Sequence, residues 1–192
     1  MTVLLAVPNV SEGCDPEPLA NLEKALGRGV SLLDRHTDAD HDRTVFTLAG
    51  RPGPLMEALV AAAEEALETI DMSRYGGAHP AIGALDVCPL VWLDRADRDA
   101  ARTEAVAAAA QIGGLGIPVF LYGELAATRP RVIELRQVGG WSTRATGLRL
   151  ERAWAFASAR LRGLERRVLV SMRPPWVPRC LRRRFFLVCA MA

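Results

Sequence analysis

The hydrophobic positions of this chain follow two periods, and turn-forming stretches separate the segments. A continuous apolar run from Thr2 to Val7 predicts a buried strand. Two further strands are predicted from Val30 to Asp34 and, with alternation, from Thr44 to Ala49. The apolar runs from Asp86 to Leu93 and from Pro118 to Tyr122 predict two more. The chain is therefore expected to build one sheet of short strands.

Three segments between these strands have helical periodicity instead. Asp15 followed by Pro16 is a typical helix start, an N-cap residue with a proline in the first turn. The apolar residues that share one face of this helix are Leu19, Leu22 and Leu26. In the second helix they are Leu55, Leu59, Ala63, Leu67 and Ile70. An alanine-rich third helix is predicted from about Arg98 to Ile112.

The predicted order of elements is βαββαβ followed by one more helix and strand. This order is that of the ferredoxin-like motif. Alternation of short strands with helices of this length favours an α+β layer structure in which the helices cover one face of a mixed sheet. We expect a ferredoxin-like βαββαβ sandwich extended by a further helix and strand.

Composition excludes several classes of protein. The chain has 192 residues, of which half are hydrophobic, so it is not intrinsically disordered. Its longest apolar run, Phe185 to Ala192, is far shorter than the roughly 20 residues of a membrane-spanning helix, and no secretory signal precedes the first strand. Four cysteines lie far apart in no metal-ligand or redox spacing. These features favour the cytoplasm.

Charge divides the chain unevenly. Residues 1–138 carry a net charge of −8 and residues 139–192 a net charge of +10. A basic arm for nucleic acid is one interpretation, but every basic residue after 138 is arginine and Lys24 is the only lysine, so the pattern is typical of a coding bias. We predict one domain over residues 1–136 and an Arg/Trp-rich segment of uncertain fold over residues 137–192, without nucleic-acid binding.

A glycine-rich stretch from Asp71 to Ala84 contains the first candidate for chemistry. It has neither the dinucleotide fingerprint nor the P-loop pattern, so nucleotide binding is not favoured. His79 follows Gly76 and Gly77, which allow close approach of backbone and ligand. A neutral imidazole can accept a proton from an attacking amine at cellular pH. The alternative is that His79 is only a turn residue.

The polar segment from Asp34 to Arg43 is the second candidate. Asp38, Asp40 and Asp42 alternate as in a calcium loop, but the glycine turn and the later glutamate of such a loop are absent. A solvated loop and a substrate-contacting loop both remain open. Arg43 is the stronger functional candidate, because a guanidinium at the start of a rigid strand can bind a carboxylate with two hydrogen bonds.

Strand ends supply the remaining candidates. Asn9 offers a donor and an acceptor at the end of the first strand, although an ordinary Asx turn would explain it equally well. Tyr122 and Gly123 close the last predicted strand, where either residue could simply end it.

Taken together, these segments resemble the N-terminal subdomain of glutamate formimidoyltransferase (formiminotransferase), a folate enzyme of histidine degradation. The resemblance covers residues 1 to about 136, in the order and spacing of the family. The matching strings are VPNVSEG (Val7 to Gly13), LLD (Leu32 to Asp34), DHDRTVFTLAG (Asp40 to Gly50), IDMSRYGGAHPAIGALDVCP (Ile70 to Pro89) and GIPVFLYGE (Gly116 to Glu124).

The resemblance implies transfer of a formimidoyl group from N-formimidoyl-L-glutamate to N5 of tetrahydrofolate, with release of glutamate. His79 is then the general base, and tetrahydrofolate is a co-substrate without any metal. The residues implied to contact the glutamate substrate are Asn9, His36, Asp38, Arg43 and Gly77, and those implied to contact folate are Tyr122 and Gly123. The partners implied are these small molecules and either a second copy of the chain or a separate C-terminal subdomain, without nucleic acid or membrane.

The chain departs from the family pattern in two places. His36 stands where relatives often carry an aspartate that would orient the catalytic histidine, and Asp34, Asp38 or Asp40 could replace it. After residue 136 the Asp-Phe-Gly-Pro segment and second subdomain of the family are not recognisable, although Phe185 to Val188 resembles a remnant of a closing strand. Out-of-frame translation would produce such a change. The alternative function is therefore a non-catalytic remnant, or a half-enzyme that lacks part of the folate cleft.

Overall fold

Two crossover units build one sheet with helices on one face. The computed structural model describes residues 1–79, 81, 83–116, 119 and 121–125, and the backbone of 189–190. The elements in chain order are strand β1 (Leu4–Ala6), β2 (Asn9–Val10), helix α1 (Pro16–Leu26), β3 (Ser31–Asp38), β4 (Arg43–Gly50), α2 (Pro54–Thr69), β5 (Leu85–Val87), β6 (Pro89–Trp92), α3 (Arg98–Gly114) and β7 (Cys189–Ala190).

The strand order confirms the α+β prediction and is consistent with a ferredoxin-like fold. β4 lies between β3 on one side and the consecutive segments β1 and β2 on the other. β6 pairs with β1 and β5 with β2, and all of these pairings are antiparallel. β7 adds to the outer edge of β6 in the parallel direction, which makes the sheet mixed, as predicted.

The hydrophobic core lies between the sheet and the helices. Phe46 and Leu48 of β4 are fully buried toward the helices, whereas Val45 and Thr47 on the opposite face are partly exposed. α2 packs against both α1 and α3. The buried residues of α2 are Leu55, Ala58, Leu59, Ala62, Ala63 and Ala66. The small side chains allow the helices to approach closely. The predicted apolar face of α2 is confirmed at Leu55, Leu59 and Ala63, whereas Leu67 is partly buried and Ile70 follows the end of the helix.

Local sequence explains where the helices begin. Asp15 caps α1 as predicted, because its side chain accepts a hydrogen bond of 3.0 Å from the backbone N–H of Glu17. α2 begins after Gly53, which has no side chain to cap it. The buried Glu104 of α3 performs this role from a distance, since its Oε1 accepts from the N–H groups of Gly53 (2.7 Å) and Met56 (2.9 Å). Glu104 therefore couples two helices of the layer.

Three strand predictions need correction. β3 continues to Asp38, so the first half of the polar segment from Asp34 to Arg43 is strand; as an edge strand with an exposed surface it needs few apolar residues. The run from Asp86 to Leu93 is interrupted at Cys88, between β5 and β6. The strand predicted from Thr2 to Val7 is shorter, β1 from Leu4 to Ala6, and a further strand that was not predicted, β2, follows Pro8.

Some predictions fall outside the described residues. They are the possible closing strand at Phe185 to Val188, almost all of segment 137–192, and part of the predicted strand from Pro118 to Tyr122. The described residues of that last segment, Val119, Leu121 and Tyr122, are not in a strand, although Val119 and Tyr122 are buried. Within the described part of the chain, no helix is both long and apolar enough to cross a membrane.

Candidate functional site

The candidate residues meet where two loops lie against the end of the central strands. The aspartate loop, residues 38–43, joins β3 to β4, and the glycine loop, residues 75–79, follows α2. The backbone N–H of Ala78 donates to the carbonyl oxygen of Asp40 at 3.1 Å, which links the two loops. β2 runs beside the start of β4, with Val10 opposite Thr44. The two loops and β2 thus surround one position at the edge of the sheet.

His79, the predicted general base, is half-buried at the end of the glycine loop. The hydroxyl of Tyr75 lies 2.5 Å from the carbonyl oxygen of His79 and 3.0 Å from that of His41, and so fixes the glycine loop against the aspartate loop. The ring Nε2 of His79 lies 3.4 Å from a terminal nitrogen of Arg43. Since a guanidinium can only donate, this contact requires a lone pair on Nε2.

Arg43 is held between Asn9 and His79. Its Nε donates to Oδ1 of Asn9 at 2.9 Å, and its second terminal nitrogen contacts the same oxygen. The Asn9 side chain is buried and its Nδ2 donates to the carbonyl oxygen of Val7 at 2.7 Å, which fixes the orientation of the amide. The structure therefore brings together three residues that the sequence analysis selected separately, and it gives Arg43 a fixed position beside the ring of His79.

Gly77 has a clear geometric reason for its identity. A Cβ at this position would lie less than 3.0 Å from the carbonyl oxygen of His41 and 2.6 Å from the Tyr75 hydroxyl. At Gly13, before α1, a Cβ would lie 2.5 Å from the backbone nitrogen of Arg43. Both glycines allow neighbouring backbone to approach the aspartate loop closely. The loop is thereby packed from two sides.

Asp38 forms a pair with His41. Its Oδ2 lies 2.8 Å from Nδ1 of His41, and its Oδ1 accepts from the backbone N–H of His41 at 3.0 Å. The backbone N–H and then the ring of His41 lower the pKa of the Asp38 carboxyl below its usual value. The His41 ring lies 6.2 Å from that of His79, centroid to centroid, at an interplanar angle of 55°.

The other predicted residues lie on β3 and after α3. His36 is exposed on β3, opposite Val45 of β4. Tyr122 is buried, Gly123 has a left-handed φ of 64°, and the adjacent Glu124 forms an ion pair of 2.8 Å with Arg98 at the start of α3.

Sequence analysis missed His41, Tyr75 and Asp42 as individual site residues. Asp42 has a φ of 48°, which aspartate tolerates better than most residues. Its carboxylate accepts from the backbone N–H of Gly13 at 2.9 Å, and its other oxygen lies 3.4 Å from the N–H of Gly76. Asp42 therefore joins the segment before α1 to the glycine loop. The position of His41 within a polar run was the available signal for that residue, but it did not indicate which partner the ring would contact.

One group of side chains has the spacing of metal ligands. The ligand atoms of Glu12, Cys14 and Asp42 lie within 4.8 Å of one another. Glu12 already accepts from the backbone N–H groups of Cys14 and Asp15, each at 2.8 Å. Partial desolvation of the thiol and then the carboxylates of Asp42 and Glu12 raise the pKa of Cys14, which favours the neutral thiol over a metal-binding thiolate.

Comparison with known proteins decides the family. The model of the formiminotransferase domain, N-terminal subdomain, matches residues 3–156. The chain belongs to this family. It is 42% identical over 132 residues to the formimidoyltransferase-cyclodeaminase of Gallus gallus, which covers 65% of this chain and 24% of that protein.

Two shorter relatives are named glutamate formimidoyltransferase. The protein of Streptococcus pyogenes serotype M1 is 38% identical over 143 residues, covering 71% of this chain and 46% of that protein. The protein of Thermoplasma acidophilum is 36% identical over 133 residues, covering 68% and 44%. This chain thus spans between about a quarter and just under half of the length of these relatives.

Proposed function

We propose that this chain takes part in transfer of the formimidoyl group from N-formimidoyl-L-glutamate to N5 of tetrahydrofolate. Membership of the formiminotransferase family gives the reaction class. The observation that carries the proposal is the fixed arrangement of His79 beside Arg43 and Asn9 on two interlocked loops. Tetrahydrofolate is the co-substrate, and glutamate is the product that leaves.

His79 acts as the general base in this proposal. The lone pair on Nε2 faces a terminal nitrogen of Arg43, and a substrate carboxylate that binds this nitrogen would release the lone pair to accept a proton. N5 of the folate attacks the formimidoyl carbon, and His79 takes the proton that N5 loses as the new bond forms. General-base catalysis of this kind contributes roughly 100- to 10,000-fold to a rate. Alignment of the two substrates contributes much of the rest.

Arg43 and its neighbours form the proposed glutamate site. The Arg43 nitrogen that faces His79 is directed toward the reacting group, while the other two face Asn9. A substrate carboxylate at this nitrogen would place the formimidoyl group close to the base. Gly77 leaves room for backbone approach at the same place, and Asp38 borders it through His41. We assign His36 a more peripheral substrate contact, since it is exposed on β3.

A second wall would complete the folate cleft. The sheet face away from the helices carries partly exposed residues such as Val45 and Thr47, and the chain spans less than half of each relative's length quoted above. We propose that a separate C-terminal subdomain or a second copy of the chain covers this face, with Tyr122 and Gly123 contacting folate. A reducing, cytoplasmic location is proposed with it, in keeping with the free thiols of Cys14 and Cys88.

The test is turnover of the purified full chain with N-formimidoyl-L-glutamate and tetrahydrofolate, followed by appearance of the formimidoyl-folate product. His79→Gln is expected to lower kcat by roughly 100-fold or more, because the general base is lost. Arg35→Gln is the matched control, since Arg35 of β3 forms an exposed ion pair with Glu23 of α1 instead of a site contact. Unchanged turnover in His79→Gln would contradict the assignment of the base.

A second outcome favours the alternative function. If the folded chain without any substitution binds N-formimidoyl-L-glutamate in calorimetry but does not turn it over, the chain is a ligand-binding half-enzyme. If it neither binds nor turns over either substrate, it is a non-catalytic remnant and the proposal is wrong.

A further inference from the structure

Two histidine rings lie 6.2 Å apart, centroid to centroid, and their partners are of opposite charge. His79 lies beside the guanidinium of Arg43, with 3.4 Å between Nε2 and the terminal nitrogen. His41 lies beside the carboxylate of Asp38, with 2.8 Å between Nδ1 and Oδ2. Because a guanidinium only donates and a carboxylate only accepts, His79 presents a lone pair to its partner and His41 presents a proton to its own.

The two rings are held near each other by the backbone. The Tyr75 hydroxyl contacts the carbonyl oxygens of both histidines. The absence of a side chain at Gly77 lets the glycine loop touch the backbone of His41. The centroid distance of 6.2 Å is therefore a consequence of loop packing, and it places both rings within reach of a single small group.

The proposed reaction needs a proton donor as well as a base. N5 of the folate forms a bond to the formimidoyl carbon and loses its proton. The bond between that carbon and the glutamate nitrogen then breaks, and its electron pair stays on nitrogen. An aliphatic amine is a poor leaving group unless that nitrogen receives a proton as the bond breaks. One proton is thus taken at the attacking nitrogen and one is delivered at the departing nitrogen, and the two nitrogens are joined to the same carbon.

We propose that the His41–Asp38 pair is the proton donor to the departing glutamate nitrogen. This inference rests on the proposed function. Nδ1 of His41 is engaged by Asp38, so Nε2 is the atom that donates. The Asp38 carboxylate stabilises the positive charge that the ring carries before it donates. Arg43 and His79, two of the other charged or titratable groups of these loops, lie 3.4 Å apart. The remaining ones are Asp40, which is exposed, Asp42, which accepts a backbone hydrogen bond from Gly13, and Tyr75, whose hydroxyl contacts the carbonyl oxygens of both histidines.

The test compares two formimidoyl donors with different leaving groups. N-formimidoyl-L-glutamate releases a strongly basic amine, whereas N-formimidoyl-4-aminobenzoate releases a weakly basic arylamine that needs little help from an acid. With the glutamate donor, His41→Gln is expected to lower kcat by roughly 100-fold or more, with little change in KM. With the arylamine donor the expected loss is less than about 10-fold, since the acid contributes little there.

Asp38→Asn is the second variant. Its remaining oxygen can still accept from the backbone N–H of His41, while the amide removes the negative charge beside the ring. We expect a smaller loss of kcat than in His41→Gln, again confined to the glutamate donor. Arg35→Gln, which breaks the exposed ion pair with Glu23, is the control for loss of a surface charge.

The outcomes separate the two proposals. If His41→Gln behaves like Arg35→Gln, or loses the same factor with both donors, His41 is not the proton donor although the chain is a formimidoyltransferase. If the chain without any substitution turns over neither donor, the proposed function is wrong and this inference fails with it. Thermal unfolding of each variant identifies any loss of activity caused by loss of the fold.

Discussion

The packing of the two loops predicts a strong difference between adjacent glycines. At Gly77 a methyl group would lie 2.6 Å from the Tyr75 hydroxyl and less than 3.0 Å from the carbonyl oxygen of His41. At Gly76 no heavy atom lies within 4 Å of the corresponding position. Gly77→Ala and Gly76→Ala therefore make the same chemical change one residue apart, with and without a collision.

The expected loss of stability in Gly77→Ala depends on which atoms must move to make room for the methyl group. The atom that blocks Gly77→Ala belongs to the backbone of His41, which is held by Asp38 and Tyr75, so a rotamer change cannot relieve the contact. Overpacking of this kind costs about 2–3 kcal/mol. In a domain of this size such a loss lowers the thermal midpoint by roughly 4–12 °C. Gly76→Ala is expected to change the free energy of unfolding by less than about 1 kcal/mol, in the stabilising direction, because alanine restricts the unfolded chain.

Thermal unfolding of the three proteins, followed by circular dichroism, measures this difference. Formimidoyl transfer by Gly77→Ala, measured well below its midpoint, is expected to fall, because displacement of the His41 backbone changes the separation of the two histidine rings. Equal thermal midpoints for Gly77→Ala and Gly76→Ala would refute the reasoning, since they would show that the two loops can separate without loss of stability.

Two further predictions concern the helix layer and the cysteines. Glu104→Ala leaves the N–H groups of Gly53 and Met56 at the start of α2 without their buried partner, so the free energy of unfolding measured in urea is expected to fall by about 2–4 kcal/mol. Glu104→Gln keeps an acceptor oxygen and is expected to lose less than half of that. Equal losses in the two variants would contradict the capping role of Glu104. Burial raises the pKa of Cys88 to about 12, so at pH 8 this thiol stays neutral and iodoacetamide should modify it only after unfolding. Mass spectrometry should find the exposed Cys14 modified slowly in the folded chain, because its pKa is also raised, and rapid labelling of Cys88 in the folded chain would contradict its burial.

Much of the fold could be predicted from local sequence, because local rules decide it. The helix start at Asp15 and Pro16 and the apolar face of α2 depend on side chains a few residues apart. β3 was predicted too short because its last residues are charged. An edge strand can carry such residues, but only the strand order shows that β3 is at an edge.

The candidate site was predictable in its parts and not in its contacts. The sequence by itself determined that His79, Arg43 and Asn9 belong to motifs at strand ends and in a glycine-rich stretch, and the family resemblance connected them to one reaction. Only the tertiary structure decided that Arg43 lies between Asn9 and His79, that Asp38 pairs with His41, and that the two histidine rings lie 6.2 Å apart. Residue types limit the chemistry that each position can perform. Which groups meet depends on the close approach of two loops more than thirty residues apart, and no local periodicity encodes that approach.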